Sequence, residues 1–373
     1  MAAGPNIRQE NKRLVYTYLY RSKEASIQET SSTLPISLPT VSTNISELLA
    51  QGLIRQIGQQ ESTGGRKASI YQCIEDARVA VGVEVFSDYI YMCLLNLYGT
   101  VICDKRIDIS YGNEETYYSF AGSEIKSFIE GSGYKKEKIL GVAIAMQGVV
   151  SPDHKRVVYG RILNNEGVSI ESFRKTLDYP CSLFHDSESA AFAESFHRPS
   201  LRDASYILLN SNLGSGLILN REAYGGNHAR GQLLEHIKLI PRGRLCYCGQ
   251  KGCAEGYCSA RSLEEKAGVK LPVFFEGLRA GDKAKKKIWT EYLTYLAMLI
   301  NNVLMTIDVD IVIGGMVSLY MNESDMEELK RIIRKNCDFV ISDRTVTLQC
   351  TGPNAAARGA ALHYIWEFIS NIN

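Results

Sequence analysis

The stretch Cys246-Tyr-Cys248-Gly-Gln-Lys-Gly-Cys253-Ala-Glu255 decides how this sequence is interpreted, because a lone histidine, His236, precedes it by ten residues. The spacing H-x9-C-x-C-x4-C offers one imidazole and three thiols, which is a full ligand set for tetrahedral zinc. Gly249 and Gly252 allow the tight backbone turns that bring the sulfurs together. Four protein ligands leave no open position on the metal, so we predict a structural zinc ion held by His236, Cys246, Cys248 and Cys253.

Two other interpretations of the cysteines stay open at this point: a disulfide, or a chance group of buried thiols. Cys246 and Cys248 are poor disulfide partners, because the chain between them is too short for relaxed geometry. Cys258 lies near the cluster but outside the ligand spacing.

The composition is that of an ordinary soluble globular protein: 373 residues, 45 % apolar, 22 % charged and a formal net charge of +1. This charge argues neither for nor against nucleic acid as a partner. No apolar run approaches the roughly 20 residues that cross a bilayer, and the first residues are too polar for a secretory signal. With ten cysteines interpreted as reduced thiols, we expect a cytoplasmic protein without a membrane partner.

The first 76 residues predict three helices followed by a hairpin. Apolar spacing over 7–24 fits an amphipathic helix, and Ser26 with Glu29 forms a capping-box pattern at the start of the next. A third helix begins near Pro39 and ends at Ala50. Its predicted core positions are Val41, Ile45, Leu48 and Leu49, and its predicted outward positions are Thr40, Ser42, Thr43, Asn44 and Glu47.

Two β-capable runs, 53–57 and 68–73, flank a glycine-rich basic turn, so the region predicts a winged helix-turn-helix. We expect its third helix in the major groove of DNA and its wing on the flanking backbone, with contacts from Thr40, Ser42, Thr43, Asn44, Arg66 and Lys67. The alternative is a small protein-interaction module. Residues 1–75 hold eight basic and six acidic side chains, and this excess of two is weak for phosphate binding.

From Val79 onward, short apolar runs alternate with helical stretches, which indicates an α/β architecture. With the winged helix, the cysteine segment and the sequence Ile313-Gly-Gly315, the whole chain resembles the ROK family of repressors, open reading frames and sugar kinases. The resemblance implies a two-lobed actin-like (ribonuclease H-like) sugar-kinase fold behind the DNA-binding domain, with a sugar in the cleft beside the zinc loop. We therefore expect a DNA-binding domain over 1–76, a first lobe over 77–195 and a second lobe over 196–353, with the C-terminal helix of 354–373 packed back on the first lobe.

The phosphate-binding turns of such a kinase are altered in this chain. Where the resemblance implies an Asp-x-Gly-x-Thr-like turn, the sequence over 84–88 has Phe86 in place of the glycine and Asp88 in place of the threonine. The phenylalanine fills the approach of the phosphates, and the carboxylate repels them. The second loop, 210–214, has lost two of its expected glycines, so we expect no ATP binding and no kinase activity.

The sugar contacts implied by the resemblance are half kept. Asp186 matches the family's catalytic base, although it could equally accept hydrogen bonds from sugar hydroxyls or simply cap the helix that follows. The expected asparagine before it is His185, and the expected first glutamate of the zinc loop is Leu233. Glu255 matches the second glutamate, or it only supports the loop. We predict ligand contacts from Asn164, His185, Asp186 and Glu255.

The sequence thus predicts a transcriptional regulator, a repressor of carbohydrate-related genes, that binds a DNA operator as a dimer or tetramer and responds to a sugar or modified sugar in a degenerate kinase cleft. Two alternatives stay open. One is an active sugar kinase with a DNA-binding head. The other is a regulator without a small-molecule ligand that a protein partner controls.

Overall fold

The computed structural model describes residues 5–59, 68–337, 339 and 342–372. The first part, which we call the head, contains three helices and a small sheet in the order α1 Pro5–Ser22, β1 Glu24–Ser26, α2 Ile27–Thr33, α3 Leu38–Ala50, β2 Ile54–Gln59 and β3 Ser69–Cys73. The sheet has the order β1-β3-β2 and is antiparallel. Ser26 and Glu29 form the predicted capping box at the start of α2. The predicted wing residues Arg66 and Lys67 lie outside the described residues.

Helix α3 departs from its predicted orientation at three positions. Asn44 is buried, with 3 % of its surface exposed, and its side-chain amide donates to the backbone oxygen of Thr40 at 2.8 Å. Leu49, predicted in the core, is 38 % exposed. The carboxylate of Glu47 forms ion pairs with Arg8 and Lys12 of α1 instead of pointing to solvent. Val41, Asn44, Ile45 and Leu48 share one face at the helical spacing, so the departures arise because the prediction placed the polar Asn44 outside and the apolar Leu49 inside by residue type.

The next elements form the first sheet and its helices: β4 Val79–Val85, β5 Tyr89–Asn96, β6 Val101–Asp108, α4 Glu115–Gly131, β7 Ile139–Met146, β8 Val149–Val150, β9 Val157–Tyr159, α5 Glu171–Arg174, β10 Cys181–His185 and α6 Asp186–His197. The sheet has the order β10-β7-β4-β5-β6. Strands β10, β7 and β4 are parallel, so Val85, Met146 and His185 end at one edge. Ligands bind at this edge of open α/β sheets, and α6 begins there.

The second sheet and its helices comprise β11 Ala204–Leu209, β12 Leu213–Leu219, β13 Glu222–Ala223, α7 Glu255–Cys258, α8 Ala260–Ala267, α9 Leu271–Arg279, α10 Lys283–Leu304, β14 Asp310–Gly314, α11 Glu323–Lys335 and β15 Val346–Leu348. The sheet has the order β13-β12-β11-β14-β15, with β11, β14 and β15 parallel. Helices α7 to α11 bury a continuous apolar core against it that contains Leu263, Phe274, Trp289 and Leu296.

The last helix, α12 Ala355–Ser370, links the sheets to the head. Its first residues share a core with α6 and both sheets, and its last turn, with Ile369, lies in the core of the head. It approaches β4 and α6 so closely that a Cβ on Gly82 would lie 1.9 Å from the Ala357 oxygen, and one on Gly359 would lie 1.7 Å from the Ser189 oxygen. Only glycine permits this approach, so β4, α6 and α12 form one tightly packed unit.

The head also contacts the turn between β5 and β6. The hydroxyl of Tyr20 donates to the Leu97 oxygen at 2.8 Å, and its ring stacks on Tyr98 with a centroid separation of 4.5 Å. The Lys23 ammonium lies 3.4 Å from the Tyr98 ring centroid. Head, β5–β6 turn and α12 therefore share one interface. Among the described residues, none of the helices has the length and apolar character that crossing a membrane requires.

Candidate functional site

The four predicted metal ligands lie together. The ligand atoms of His236, Cys246, Cys248 and Cys253 are all within 4.8 Å of one another. Nδ1 of His236 is 3.8 Å from the Cys246 sulfur, and the sulfurs of Cys248 and Cys253 are 3.9 Å apart. These separations fit four ligands around one tetrahedral ion at ~2.0–2.3 Å from each donor. All three thiols are free, so the disulfide interpretation is not supported.

The backbone of the loop explains how the cluster forms. The Cys246 N–H donates to the Gln250 oxygen at 2.8 Å, and the Gly252 N–H donates to the Arg244 oxygen at 2.8 Å. Gly252 has φ +81°, and a Cβ there would lie 1.9 Å from the Ile240 oxygen. The glycine thus allows both the left-handed turn and the close contact that bring Cys253 next to the other sulfurs.

A first cavity lies between the carboxyl edge of the first sheet and the metal loop, and we call it the His185 cavity. Its polar lining comes from Gln147, Tyr159, Arg161, His185, Asp186, Ser187, Asn212, Glu235 and Tyr247. Its volume is about 40 Å³. This is far below the roughly 300 Å³ at which small-molecule pockets usually begin, so a sugar enters only if the lobes move apart.

His185 and Asp186 lie side by side at the start of α6. Nε2 of His185 is 3.4 Å from an Asp186 carboxylate oxygen and 3.1 Å from the Ser187 hydroxyl, and its Nδ1 is 3.8 Å from Glu188. Burial lowers the pKa of His185, but Glu188 and Asp186 outweigh it and raise the pKa to about 9. The imidazole of His185 is therefore cationic at neutral pH, whereas the asparagine that the family resemblance implies at this position would carry no charge.

Asp186 lines the cavity and also bonds its own helix. One carboxylate oxygen accepts from the Ser187 N–H at 2.8 Å. Burial raises the pKa of Asp186, and the His185 charge opposes the rise. One carboxylate oxygen of Asp186 thus bonds the start of α6, as the helix-capping interpretation predicts, and the residue also lines the cavity.

Two predicted ligand contacts lie elsewhere. Asn164 is exposed, has φ +52° and does not line the cavity; its backbone oxygen accepts from the Asn113 amide at 2.9 Å. Glu255 lies behind the lining, where its carboxylate accepts from the Asn212 amide at 2.8 Å and from the Leu213 N–H at 2.6 Å. Neither residue lines the cavity, so their contact with a ligand stays a prediction. For Glu255 the geometry favours the supporting interpretation.

Two residues of the metal loop that were not predicted from the sequence line the cavity. Glu235 is 7 % exposed, and burial raises its pKa to about 7. Tyr247 also lines the cavity, with its hydroxyl 3.4 Å from Nε2 of His236. Their positions in the sequence could have identified both residues. Glu235 directly precedes His236 of the cluster and lies two residues after the apolar Leu233, and Tyr247 stands between two cysteines of the cluster. The loop thus keeps a carboxylate in the cavity despite the loss at Leu233.

A second cavity of about 260 Å³ lies on the opposite side of the cleft, and we call it the Glu84 cavity. It is lined by Glu84, Phe86, Tyr89, Arg106, Leu208, Asn210, Gly315, Met316, Leu319, Gln349 and the start of α12. The backbone N–H groups that could hold phosphates are already bonded within the chain. The Met316 N–H donates to the Asn210 side-chain oxygen at 2.9 Å, and the Gly315 N–H donates to the Gln349 side-chain oxygen at 3.3 Å.

The altered turn at 84–88 has a different effect from the predicted one. Phe86 does fill the site, stacked on Tyr89 at 4.2 Å between centroids. Asp88, however, is exposed and is not part of the cavity lining. The carboxyl group that faces the cavity is that of Glu84, because strand alternation turns residues 84 and 86 to the side opposite 85. The cavity therefore faces the carboxyl group of Glu84 and not that of Asp88.

The candidate DNA-contact residues on α3 divide into two groups. Thr43 is exposed and Thr40 and Ser42 are half-buried, so these three lie on the outer face, as does Ser46, which was not predicted. Asn44 faces the core and supports the helix instead of contacting a partner. Among the described residues, the polar side chains on this face are the hydroxyl groups of Thr40, Ser42, Thr43 and Ser46, and Leu38 and Leu49 of α3 are exposed as well.

Comparisons with known proteins place this geometry in context. The sequence profile of the ROK family matches residues 80–365. The xylose repressor of Bacillus spizizenii is 24 % identical over 260 residues, which are 69 % of this chain and 67 % of the relative, so the match spans about two thirds of the relative's length.

Two solved structures bear on the fold. A ROK family transcriptional regulator, described as a homolog of the Escherichia coli MLC protein, matches 98 % of this chain and 97 % of its own, with a TM-score of 0.80 and 20 % identity. A ROK family glucokinase from Streptomyces griseus, solved with glucose and AMPPNP, covers 76 % of this chain and 98 % of its own, with a TM-score of 0.66 and 19 % identity. The match to the regulator includes the head.

Proposed function

Because the chain belongs to the ROK family, we propose that it is a DNA-binding transcriptional regulator of carbohydrate-related genes, most simply a repressor, whose cleft binds an effector and does not phosphorylate it. The observation that carries the proposal is the course of α12. This helix begins in the wall of the Glu84 cavity and ends in the core of the head. The cleft and the DNA-binding surface are thereby connected by one rigid element about 24 Å long.

The head binds an operator through α3 and the wing. We assign the DNA contacts to Thr40, Ser42 and Thr43, with Arg66 and Lys67 of the wing on the phosphate backbone. Hydroxyl groups alone give modest affinity, so a dimer or tetramer on a pseudo-palindromic operator supplies the rest. In this proposal residues 1–76 are the DNA-binding domain, and 77–195 with α12 and 196–353 are the two lobes.

The effector is a sugar or a modified sugar in the His185 cavity. Asp186 and Glu235 accept hydrogen bonds from its hydroxyls, and cationic His185 donates one. The cationic imidazole and the hydrocarbon at Leu233 favour a ligand with an acidic or otherwise modified edge over a plain hexose. This preference comes from the two positions at which the chain departs from the family pattern.

The metal cluster supports the effector site. The residues present fit zinc, since three thiols and one imidazole are a soft, tetrahedral donor set. When bound, zinc would fix the loop through its four protein ligands and would take part in no reaction. His236 would be one of the residues that hold the metal. Its Nε2 lies 3.4 Å from the Tyr247 hydroxyl, and Glu235 is its neighbour in the chain, so a bound metal would position two side chains of the cavity wall.

Regulation follows from the size of the His185 cavity. A ligand that needs more than about 40 Å³ binds the open lobes better than the closed ones, and binding therefore shifts the population towards the open form. The movement reaches the head through α6, which starts at the cavity, and α12, which is packed against it. Coupling of ~1–3 kcal/mol, or roughly 5- to 150-fold in operator affinity, suffices for a useful switch.

The kinase alternative is tested directly. The loop amides of Gly315 and Met316 are already bonded within the chain, which disfavours a nucleotide, so a coupled assay with ATP and a panel of sugars should give no turnover above a blank. Turnover that the Asp186→Asn variant abolishes would establish a kinase and refute the non-enzymatic part of the proposal.

The DNA-binding part is tested by selecting bound fragments of the source organism's genomic DNA and sequencing them. We expect discrete, two-fold symmetric sites near sugar transport or catabolic genes. A Thr43→Ala, Ser42→Ala double variant is the matched control, because these side chains are on the outer face and their loss should not unfold the head. Absence of enrichment would make the head an interaction module instead.

A further inference from the structure

We propose that the Glu84 cavity is a second ligand site, for a small organic cation with an apolar or aromatic body and not for a nucleotide. The site is separate from the His185 cavity, so the inference goes beyond the proposed function. It rests on three observations: the size and lining of the cavity, the carboxyl group of Glu84, and the aromatic pair beside it.

The cavity has the size and chemistry of a small-molecule site. Its volume of about 260 Å³ is close to the lower end of such sites, which run from roughly 300 to 1,000 Å³. Apolar walls come from Phe86, Leu208, Met316 and Leu319. Met316 and Leu319 are 42 % and 51 % exposed, so the cavity is open to solvent at this side.

Glu84 is the polar group that this cavity leaves without a partner. The residue is 3 % exposed, and its Oε2 is buried with no hydrogen-bond partner among the described residues. A buried carboxyl oxygen without a donor costs free energy, about 1–3 kcal/mol or more when charged. Because Glu84 lines the cavity, a ligand bound there can donate the hydrogen bond that Oε2 lacks.

The surroundings select a cationic donor. Burial first, and then the nearby Asp186 of α6, raise the pKa of Glu84 to about 8, so its carboxyl group is largely protonated at neutral pH. The other ionisable neighbours of Glu84 are Tyr89, Cys93 and Tyr206, whose pKa values are all raised by burial, so they stay neutral. Within the described lining the cationic side chain is Arg106, which is paired with Asp108 at 2.8 Å. An ammonium or amidinium can displace that proton and pair with the carboxylate of Glu84, whereas a phosphate offers no compensating positive charge.

The aromatic pair provides the second contact. Phe86 and Tyr89 stack at 4.2 Å with an angle of 23° between their planes. The guanidinium of Arg106 already lies 3.7 Å from the Tyr89 ring centroid, which shows that this stack accepts a cation. A ligand with an amine on a short aromatic body can pair its charge with Glu84 and lay its ring along Phe86 and Met316.

The test uses four probes: benzylamine and 2-phenylethylamine, and their neutral analogues benzyl alcohol and 2-phenylethanol. Binding is measured on the full chain by saturation-transfer NMR and by calorimetry, with AMPPNP as a competitor. We expect the amines to bind at least about tenfold more tightly than the alcohols and to be indifferent to AMPPNP. At pH 7 their binding should release protons from Glu84, so the heat should differ between phosphate and Tris buffers.

Two variants locate the site. Glu84→Gln keeps the shape and should weaken amine binding at least about tenfold. Glu235→Gln makes the same change in the His185 cavity and should leave amine binding intact. Equal binding of alcohols and amines, displacement of the amines by AMPPNP, unchanged binding in Glu84→Gln, or no amine binding up to about 10 mM would each overturn the inference. Operator and sugar binding are measured separately, so failure here leaves the proposed function standing.

Discussion

Replacing Glu84 by Gln should stabilise the protein, although the change removes a charged residue type from the centre of the fold. The pKa of Glu84 is raised to about 8, against 4.5 for an ordinary glutamate, mainly by burial and then by Asp186. The folded protein therefore keeps a proton that the unfolded chain loses above pH 4.5. For a carboxyl group with a raised pKa, stability is lost as pH rises, here between pH 4.5 and pH 8.

The size of this effect follows from the linkage. Each pH unit between the two pKa values lowers the free energy of unfolding by about 1.4 kcal/mol. At pH 7 the full penalty is roughly 3 kcal/mol, and water that reaches the cavity reduces it, so we expect Glu84→Gln to gain about 1–3 kcal/mol. Gln can still accept from the Ala357 N–H, as the carboxyl does, and at pH 4.5 the variant and the original protein should be equally stable.

The assay is urea unfolding, followed by tryptophan fluorescence at pH 5, 7 and 8.5. Glu276→Gln on the exposed face of α9 is the matched control, because it removes the same charge from the surface and should show no such pH-dependent gain. A Glu84→Gln protein that is less stable at pH 7, or whose gain is the same at pH 5 and pH 8.5, would refute the reasoning.

Three further predictions concern the metal cluster, the head and α12. Cys253→Ser should reduce bound zinc, measured by mass spectrometry of the purified protein, from about one ion per chain to a small fraction. Cys258→Ser should retain the zinc, because this buried thiol is not part of the cluster. Full metal content in Cys253→Ser would contradict the ligand assignment. Asn44→Ala should lower the free energy of unfolding by about 1–2 kcal/mol, because the hydrogen bond to the Thr40 oxygen is lost. Thr43→Ala should instead weaken operator binding with the melting temperature unchanged; the opposite pattern in the two variants would mean that α3 presents another face. Ile369→Ala truncates a side chain that is 2 % exposed in the head core, so it should lower the free energy of unfolding by about 2–5 kcal/mol. It should also weaken the effect of an effector on operator affinity. An undiminished effector response would exclude α12 as the connection between cleft and head.

The sequence was sufficient for features that depend on local spacing. The cluster of four candidate metal ligands, the capping box at Ser26 and the antiparallel pairing of β2 with β3 follow from residue types at fixed distances along the chain. The α/β architecture follows from the alternation of apolar runs and helices. These features form within short segments, so the pattern of one segment determines each of them.

Features that depend on contacts between distant segments could not be predicted in this way. Asn44 lies on the helical face of Val41, Ile45 and Leu48, which the rest of the head buries although Asn44 is polar. Glu255 turns away from the cavity because Asn212 and Leu213, more than 40 residues earlier, take both its oxygens. Glu235 enters the cavity through a metal loop whose path depends on four ligands together. In each case the outcome is set by a partner that the local sequence does not contain.

The resemblance to kinases predicted an altered phosphate site, with Phe86 in the turn and Asp88 as the repelling group. Asp88 is exposed and is not part of the cavity lining. The carboxyl group at the cavity is that of Glu84, and two loop amides donate hydrogen bonds to the side chains of Asn210 and Gln349. Position-by-position matching finds replaced residues, but not the side chains from other strands that take over their contacts.

The most direct test of the account is the dissociation constant of the operator complex, measured by fluorescence anisotropy with and without each of a panel of pentoses, hexoses and their acidic and phosphorylated derivatives. We predict that at least one of them changes the affinity by roughly 5- to 150-fold, and that the change is lost in Asp186→Asn, whose operator affinity without ligand is retained. Equal operator affinity with every compound would contradict a cleft that controls the head, and would leave a protein partner as the regulator.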